Sequence, residues 1–314
     1  MSARTYASLV APLKEAAIGA AWSQWSALGL AAPTRGEPAG HAVIDPEALV
    51  LASLAFDQEE RRLDQVLWGW LDGGARLLSA SRMANLIDDY PGWMAERVAR
   101  FAADAVVAGD VRWKRLAGKT RASMRPAGRG KGGATWPLRD RTTLLLRVRL
   151  AFGVGIKADA LTYLIARQGA RATVRDMASD LGYHDRAVRR AVEDLVGARF
   201  VTMEPTSPVS FRMDAKPWYQ ILDLEEDREP RWRNWRELFA ITVGIVDWST
   251  AADRSAWTPY VAASRLRDAF DRLEPLLLRA YVRERPDWAQ PPERWLDEMK
   301  GWVEATADRL KSVT

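Results

Sequence analysis

The fold of this chain is decided by residues 173–213, which read TVRDMASDLGYHDRAVRRAVEDLVGARFVTMEPTSPVSFRM. Thr173 can cap a helix, and Asp176 three residues later completes a pattern similar to a capping box. Apolar residues then recur at intervals of three and four, which predicts one buried helix face: Val174, Met177, Ala178 and Leu181. Gly182 can adopt the left-handed conformation that ends a helix without steric cost. The pattern predicts a capped helix that stops at a glycine turn.

A second helix is predicted to begin near His184 or Asp185 and to end at Gly197. Its apolar residues repeat the same spacing: Val188, Ala191, Val192 and Leu195. Two short alternating runs follow at 200–204 and 209–213, separated by a turn that contains two prolines. The order helix, tight turn, helix and hairpin is typical of a winged helix-turn-helix.

The second predicted helix presents a polar face to the solvent when its apolar face is buried. The residues of that face are Asp185, Arg186, Arg189, Arg190 and Glu193. An α-helix fits the major groove of B-DNA, where an arginine can form two hydrogen bonds with O6 and N7 of guanine. Three arginines near the N-terminal end of the helix therefore favour a recognition helix. The alternative that the pattern leaves open is an ordinary solvated helix face.

The segment LGYHDRAVRRAVEDLVGARFV, residues 181–201, resembles part of the winged helix-turn-helix domains of bacterial transcription regulators of the MarR-like and ArsR-like kind. It is similar to their turn, recognition helix and first wing strand, and the resemblance extends over residues 141–214. It implies a DNA-binding module rather than membership of one protein family. The residues expected to contact base edges or nearby phosphates are Arg186, Arg189 and Arg190, and those expected to position the DNA backbone are Thr173, Arg175 and His184.

Two positions depart from the pattern of those domains. His184 occupies the cap position, where serine or threonine is usual, and could instead reach a phosphate. The wing tip, residues 205–208, contains no basic residue and lies beside Glu204, so that Arg212 is the only cation of the wing. Because a wing that enters a minor groove normally carries arginine or lysine, the sequence gives minor-groove contact little support.

The chain has no cysteine and only two histidines among its 314 residues. Disulfides, thiolate zinc sites and cysteine nucleophiles are therefore excluded, and neither His41 nor His184 belongs to a metal or catalytic-triad motif. The acidic run 223–227 reads as an exposed loop, and no carboxylate spacing supports metal-assisted nuclease chemistry. We therefore expect no catalytic residue, no metal and no cofactor.

The cellular location is predicted from three features of the sequence. The N-terminal residues have a charge inside their apolar part and no cleavage-like tail, unlike a secretory signal. No apolar run approaches the 18 or so residues of a membrane-spanning helix. Together with the absence of cysteine, these features predict a cytoplasmic protein that does not interact with membranes.

Positive charge is concentrated between Lys114 and Arg141. This segment contains nine Lys or Arg residues and a single acid, Asp140, although the whole chain carries a formal net charge of only +5. Focused positive charge attracts polyanions better than the same charge spread over a surface. The segment is expected to act either as a solvated tether or as an arm that tracks DNA phosphates, in which the contacting residues are Arg121, Arg125, Arg129 and Lys131.

Composition divides the chain into four predicted regions. These are an N-terminal helical domain at 1–113, a basic glycine-rich linker at 114–140, the winged helix-turn-helix at 141–214 and a C-terminal helical domain at 215–314 with a possible role in dimerisation. The fold class is therefore mainly α, with one small β-hairpin wing. Tryptophan-rich stripes in both terminal regions indicate ordinary core packing or, in the C-terminal region, a dimer interface.

Individual helix boundaries are predicted from caps and prolines. Residues 31–44 read as a linker, Asp45 caps a helix with proline at its first position, and Asp57 caps the next helix. Towards the C-terminus, Pro230 and Pro275 are each predicted to begin a helix. Further helices are expected near 251–272 and 292–310.

These patterns favour a sequence-specific double-stranded DNA-binding protein that regulates transcription as a homodimeric repressor. The homodimer is a generic expectation, because two recognition helices on a palindromic site multiply affinity. The alternative is a protein-interaction adaptor or antitoxin-type protein, which would use a winged helix and aromatic helical flanks to hold a partner. An enzyme is the weakest hypothesis.

Overall fold

The computed structural model describes residues 6–30, 40–123, 138, 140–224, 229–255, 257–282 and 284–312. Within these residues the protein is mainly helical, with fourteen α-helices and one three-stranded antiparallel sheet. The N-terminal region contains α1 (Tyr6–Ala27), α2 (Pro46–Ala55), α3 (Arg61–Gly74), α4 (Ala80–Leu86), α5 (Met94–Val107) and α6 (Lys114–Ala117). The C-terminal region contains α12 (Trp235–Arg254), α13 (Pro259–Arg279) and α14 (Pro292–Lys311).

The central region contains five helices and all three strands of the described residues. In chain order these are α7 (Leu144–Phe152), α8 (Ile156–Ala166), β1 (Ala172–Thr173), α9 (Val174–Leu181), α10 (Asp185–Gly197), β2 (Thr202–Glu204), β3 (Ser210–Arg212) and α11 (Lys216–Ile221). Strand β3 lies in the middle of the sheet and pairs with both β1 and β2. The predicted hairpin is present, and a short additional strand, β1, joins it.

The N- and C-terminal helical regions share one hydrophobic core. Helix α1 packs against α12 and α14, and Asp253 of α12 accepts hydrogen bonds from two backbone N–H groups in the first turn of α1. Tryptophans form edge-to-face pairs within this core: Trp25 with Trp70, and Trp248 with Trp295. The tryptophan stripes are therefore core residues of a single chain.

The central region has a second hydrophobic core, formed by the apolar faces of α7 to α10 and by strand β3. Each residue predicted to line the inner faces of α9 and α10 is buried there: Val174, Met177, Ala178, Leu181, Val188, Ala191, Val192 and Leu195. Phe211 of β3 is also buried and lies opposite Ala172 of β1 and Met203 of β2. Helical periodicity predicted this core, because it records which residues share a face.

Two predictions near the N-terminus are wrong. The end of the predicted linker is buried, since Val43 and Ile44 have almost no exposed surface and Ala42 forms a parallel bridge with Arg231. Asp57 does not cap α3. Glu60 caps that helix, and Asp57 instead forms an ion pair with a guanidinium of α5.

Both proline-based predictions in the C-terminal region are also wrong. Pro230 does not begin a helix, because α12 starts only at Trp235, after a short extended segment. Pro275 lies inside α13 rather than at the start of a new helix. A proline in a helix interior removes one backbone hydrogen bond, but the buried leucines around Pro275 keep α13 continuous. The predicted helix 251–272 is interrupted instead at Thr258, which caps α13.

None of the helices in the described part of the chain combines the length and the apolar character that crossing a membrane requires.

Candidate nucleic-acid interface

The candidate interface is built on the two consecutive helices α9 and α10. Thr173 caps α9 with a reciprocal capping box, in which its hydroxyl accepts from the N–H of Asp176 and the Asp176 carboxylate accepts from the N–H of Thr173. Gly182 follows α9 with φ 72° and ψ 36°, the left-handed conformation that glycine adopts without strain. Helix α10 begins after His184, whose side chain makes no capping hydrogen bond.

Helix α10 exposes three arginines on the face opposite its buried residues. The side chains of Arg186, Arg189 and Arg190 are solvent-exposed, together with the acidic residues Asp185 and Glu193. Among the residues that the structure describes, no carboxylate lies within 4 Å of any of these three guanidinium groups. The face therefore offers hydrogen-bond donors that no described carboxylate engages, and Arg190 acts on Asp194 only through its charge.

A fourth exposed acid of α10, Asp194, is engaged from outside the helix. Its carboxylate lies 2.8 Å from the ammonium group of Lys157 in α8. The hydrogen bond and charge of Lys157 hold the pKa of Asp194 below its usual value. Because Lys157 neutralises this carboxylate, Asp194 reduces the positive potential of the arginine face less than an unpaired acid would.

The other predicted backbone-positioning residues differ in their availability. Arg175 is exposed in the first turn of α9, and His184 is exposed at the start of α10. Thr173 is already fully engaged, because its hydroxyl and its backbone N–H both interact with Asp176. A phosphate contact by the Thr173 side chain would therefore compete with the cap of α9.

The predicted wing is close to electrically balanced. The Glu204 carboxylate lies 2.6 Å from Nε of Arg212 and also forms an ion pair with Arg171, which precedes β1. Arg171 is a second cation beside the hairpin that the sequence did not place there. Since both arginines share one carboxylate, Arg212 is less available to a phosphate than its exposure suggests.

The basic segment is described only in part. Arg121 is exposed, as are the neighbouring basic residues Lys114, Arg115 and Lys119. The predicted contacts Arg125, Arg129 and Lys131 lie outside the described residues. The tether and the DNA-contacting arm both stay predictions.

Beneath the helix pair lies a buried network of five charges. Arg82 of α4 forms ion pairs with Asp45 and Glu47, and Arg149 of α7 forms ion pairs with Glu47 and Asp159, all at 2.5 to 2.7 Å. Each of the five side chains is at most 2% exposed. Burial opposes the ionisation of Asp45, but the charge and hydrogen bonds of Arg82 outweigh it and lower the pKa of Asp45.

This buried charge network reaches the turn between α9 and α10 directly. The Tyr183 hydroxyl, one residue before the cap of α10, donates to Asp159 at 2.8 Å. Nε of Arg82 donates to the carbonyl oxygen of Leu181 at 2.6 Å. Because removing a buried partner leaves an uncompensated charge, the network fixes the turn at a defined position against α2, α4 and α7.

Two more side chains hold the C-terminal end of α9. Asn85 donates to the carbonyl oxygen of Gly182 at 3.2 Å, and Arg236 of α12 donates to that of Ser179 at 2.8 Å. Together with Arg82 they satisfy three carbonyl groups where the helix end carries partial negative charge. A Cβ at Gly182 would come within 2.6 Å of the Leu86 side chain, so the turn also packs tightly.

Sequence reasoning missed this network, although two signals of it were present. Arg149 interrupts the apolar run 144–150, and Asp159 interrupts the apolar run 158–166. Charges on otherwise buried faces require partners, because an unpaired buried charge is strongly unfavourable. Arg149 and Asp159, ten residues apart, pair with each other, but Glu47, the second partner of Arg149, lies 102 residues away, where neither periodicity nor spacing could identify it.

No described group of three or more His, Asp or Glu side chains is arranged to hold a metal ion. Comparison of the chain with protein families, curated proteins and solved structures finds no match. Two features of the structure therefore bear on function: the exposed arginine face of α10 and the buried charge network beneath it.

Proposed function

We propose that this protein is a sequence-specific double-stranded DNA-binding regulator of transcription that reads the major groove with α10. The observation that carries the proposal is the arginine face of α10. Three exposed arginines without carboxylate partners lie on a helix whose opposite face is buried. Arginine is the side chain that most often recognises guanine in the major groove, and a helix of thirteen residues is long enough to lie in it.

We interpret the central region as a winged helix-turn-helix. Supporting this interpretation is the order β1, α9, α10, β2, β3, in which two helices joined by a glycine turn precede an antiparallel hairpin. In the proposed arrangement α10 is the recognition helix, and Arg175 and His184 contact flanking phosphates. Glu204 neutralises the wing, so the wing contributes little to the affinity for DNA.

The buried charge network supports the proposal because it fixes the position of α10. Base readout requires a recognition helix whose position is defined to within a fraction of an ångström. Tyr183 and Leu181, which flank the turn before α10, are both hydrogen-bonded to the network. The network therefore acts as a rigid base for the arginine face and carries no catalytic role in the proposal.

We extend the proposal to a homodimeric repressor. Two α10 helices related by a two-fold axis would read a palindromic site, and each half-site would add to the affinity. Bound to its operator, such a dimer would exclude other proteins from the same DNA. The exposed cations of residues 114–121 would add affinity that does not depend on the DNA sequence.

The test is selection of binding sites from a randomised duplex pool at two salt concentrations. We expect a palindromic motif, and we expect the triple variant R186A/R189A/R190A to lose it. The matched control is R265A/R267A/R272A on the exposed face of α13, which removes the same charge from a different helix. Loss of the motif in both triple variants would show that charge alone, and not the position of α10, accounts for binding.

A second candidate function rests on an aromatic cluster formed by the exposed Phe152 and Phe200 and the buried Trp218. Their ring centroids lie 5.4 to 6.4 Å apart, and both phenylalanines are about half exposed. The exposed side chains of Leu150 and Ile221 belong to the neighbouring elements α7 and α11. Apolar surface of this kind is typical of protein contacts, which favours an adaptor or antitoxin-type protein as the alternative.

The aromatic cluster and the arginine face can be tested separately. The variant F152S/F200S should leave the selected DNA motif unchanged if DNA recognition is the function. An adaptor would instead show no motif with the wild-type chain and would lose its protein partner in this variant. Sedimentation of the same variant also tests whether the cluster holds two copies of the chain together.

A further inference from the structure

A cavity of about 330 Å³ lies in the C-terminal helical region, beside residues 41–42. Its walls are the extended segment before α12, the last turns of α13 and α14, and residues 41–42. This volume falls within the range of sites that bind small molecules. The cavity is separate from the arginine face of α10, since they share no residue.

The lining of this cavity is strongly cationic. It contains Arg231, Arg233 and Arg309, and none of the aspartates and glutamates that the structure describes contributes to it. Arg309 does approach the carboxylate of Glu284, at 3.7 Å, but both side chains are well exposed, which weakens the pair. The cavity is therefore suited to a negatively charged ligand.

Arg233 is the most informative of these cations because it is partly buried among uncharged groups. Its guanidinium lies 4.4 Å from the ring of Trp235 and donates to the carbonyl oxygen of Ser312, and both of these partners are uncharged. No carboxylate among the described residues lies within ion-pair distance of it. Burial lowers the pKa of Arg233 to about 10, because no negative charge offsets the loss of water.

A partly buried cation without a counter-ion loses some of its hydration, and a bound anion would offset that cost. The cavity also has an apolar side, which includes Trp232, Leu238 and Ala280. The indole N–H of Trp232 is buried and has no acceptor among the described residues. The lining thus combines arginine donors and an unengaged indole N–H with an apolar side that includes the indole ring of Trp232.

We propose that this cavity binds a small organic anion, a carboxylate or phosphate ester attached to a flat apolar group. Arg233 binds the anionic head with two hydrogen bonds, as guanidinium groups do with planar oxyanions. Arg231 and Arg309 contribute positive potential at the mouth. The apolar group packs against Trp232.

The cavity is connected to the central region through Trp232. The indole ring packs edge-to-face on Tyr163 of α8, with ring centroids 5.1 Å apart, and the backbone N–H of Trp232 donates to Ala166. The Tyr163 hydroxyl in turn donates to Asp180 of α9 at 2.9 Å. If the proposed DNA-binding function holds, on which this second step rests, the anion changes the affinity of α10 for its operator.

Isothermal titration calorimetry of the full chain without DNA tests the site itself. The probes are phenyl phosphate, benzoate, inorganic phosphate and the neutral benzamide. We expect phenyl phosphate or benzoate to bind, R233Q to weaken that binding at least tenfold and R309Q to weaken it about threefold. The control R267Q, on the exposed face of α13, should leave the affinity unchanged.

Several results would overturn the site. These are no binding of any anion at millimolar concentration, equal binding of benzamide, or equal affinity in R233Q, R309Q and the wild type. Inorganic phosphate that binds as tightly as phenyl phosphate would overturn the apolar part of the assignment. Because Arg309 lies near the surface, R309Q keeps the test decisive even if R233Q fails to fold.

The coupling is tested by measuring operator affinity with and without saturating phenyl phosphate. A change of at least threefold in the wild type that is absent in R233Q supports the coupling, and an unchanged affinity in the wild type refutes it. Absence of DNA binding under every condition would refute the proposed function and the coupling with it. The calorimetry decides the anion site independently.

Discussion

Two groups of arginines border the helix pair α9 and α10, and they differ in almost every physical respect. Arg82 and Arg149 are fully buried, and each forms ion pairs with two carboxylates. Arg186, Arg189 and Arg190 are exposed and have no carboxylate within ion-pair distance among the described residues. The same residue type thus holds the backbone in one place and presents free hydrogen-bond donors in the other.

Burial, and not residue type, decides whether an arginine in this protein holds the backbone or is available to a ligand. A buried guanidinium must satisfy its donors within the protein, so its partners determine the packing of the elements around it. An exposed one can exchange water for a ligand at little cost to the fold. Mutations of the buried arginines should therefore mainly lower stability, and mutations of the exposed arginines should mainly weaken binding.

The largest effect is expected for R149M, which removes one buried cation. Glu47 and Asp159 would lose their shared partner while remaining buried, and breaking such a pair typically costs about 3–5 kcal/mol of stability. Urea unfolding followed by circular dichroism measures the loss. The control R100A breaks an exposed pair with Glu96 and should cost less than about 0.5 kcal/mol. Similar values for the two variants would contradict the distinction between the groups.

A second effect concerns Glu237 of α12, a buried carboxylate with incomplete pairing. One of its oxygens lies 3.1 Å from Nε of Arg279, and the other has no hydrogen-bond partner among the described residues. Burial raises its pKa to about 7, against an ordinary value of 4.5, although Arg236 and Arg279 oppose the shift. The folded protein therefore binds more protons than the unfolded chain between these two pH values.

The sign of the resulting pH dependence follows from this proton uptake. The contribution of Glu237 to the free energy of unfolding is largest below about pH 4.5 and falls as the pH rises to about 7. At about 1.4 kcal/mol per pKa unit, the total decline is roughly 3 kcal/mol. The variant E237Q should lack this decline, and the difference between wild type and variant removes the contribution of other carboxylates. Unfolding curves that shift in parallel with pH for both proteins would rule the prediction out.

A third and smaller effect is expected for R189A, in binding rather than in stability. Under the proposed function, loss of Arg189 should weaken operator binding by about 1–3 kcal/mol and relax specificity at one base pair. Its stability should stay within about 0.5 kcal/mol of the wild type, because the side chain is exposed. Fluorescence anisotropy with the selected operator and its single-base variants gives both quantities, with R267A as the control.

The smallest effect is expected for E204Q, which removes the carboxylate that pairs with two arginines of the predicted wing. Arg171 and Arg212 would lose their shared carboxylate, so the wing would attract phosphates more strongly. Binding to non-specific duplex should tighten by less than about 1 kcal/mol, and its salt dependence should become steeper. An unchanged salt dependence would show that the wing lies away from the DNA.

The helix pair was predictable because its signals are local. Thr173, Gly182 and the apolar spacing of α9 and α10 are read within a few residues, and the structure agrees with each of them. Strand β1 was missed because a two-residue strand has no periodicity of its own. The continuity of α13 through Pro275 was missed because the packing of the surrounding leucines, which is a tertiary effect, outweighs the local preference of proline.

The parts of the site that depend on distant residues could not be predicted. The buried charge network joins positions 45, 47, 82, 149 and 159, and the cationic cavity joins positions 41, 233 and 309. No spacing rule connects such positions, because only the packing of the two cores brings them together. The sequence could show that Arg149 and Asp159 are charges within apolar runs, but not that Glu47 lies against Arg149.

The buried charge network also limits how this chain can be rearranged. A fragment of residues 141–214 would keep Arg149 and Asp159 but lose Glu47 and the arginine that caps α9, leaving polar groups without partners. Ion pairs and hydrogen bonds join the segment to Glu47 of α2 and Arg82 of α4, which lie outside it. Replacing the segment by another would therefore require changes in α2 and α4 as well.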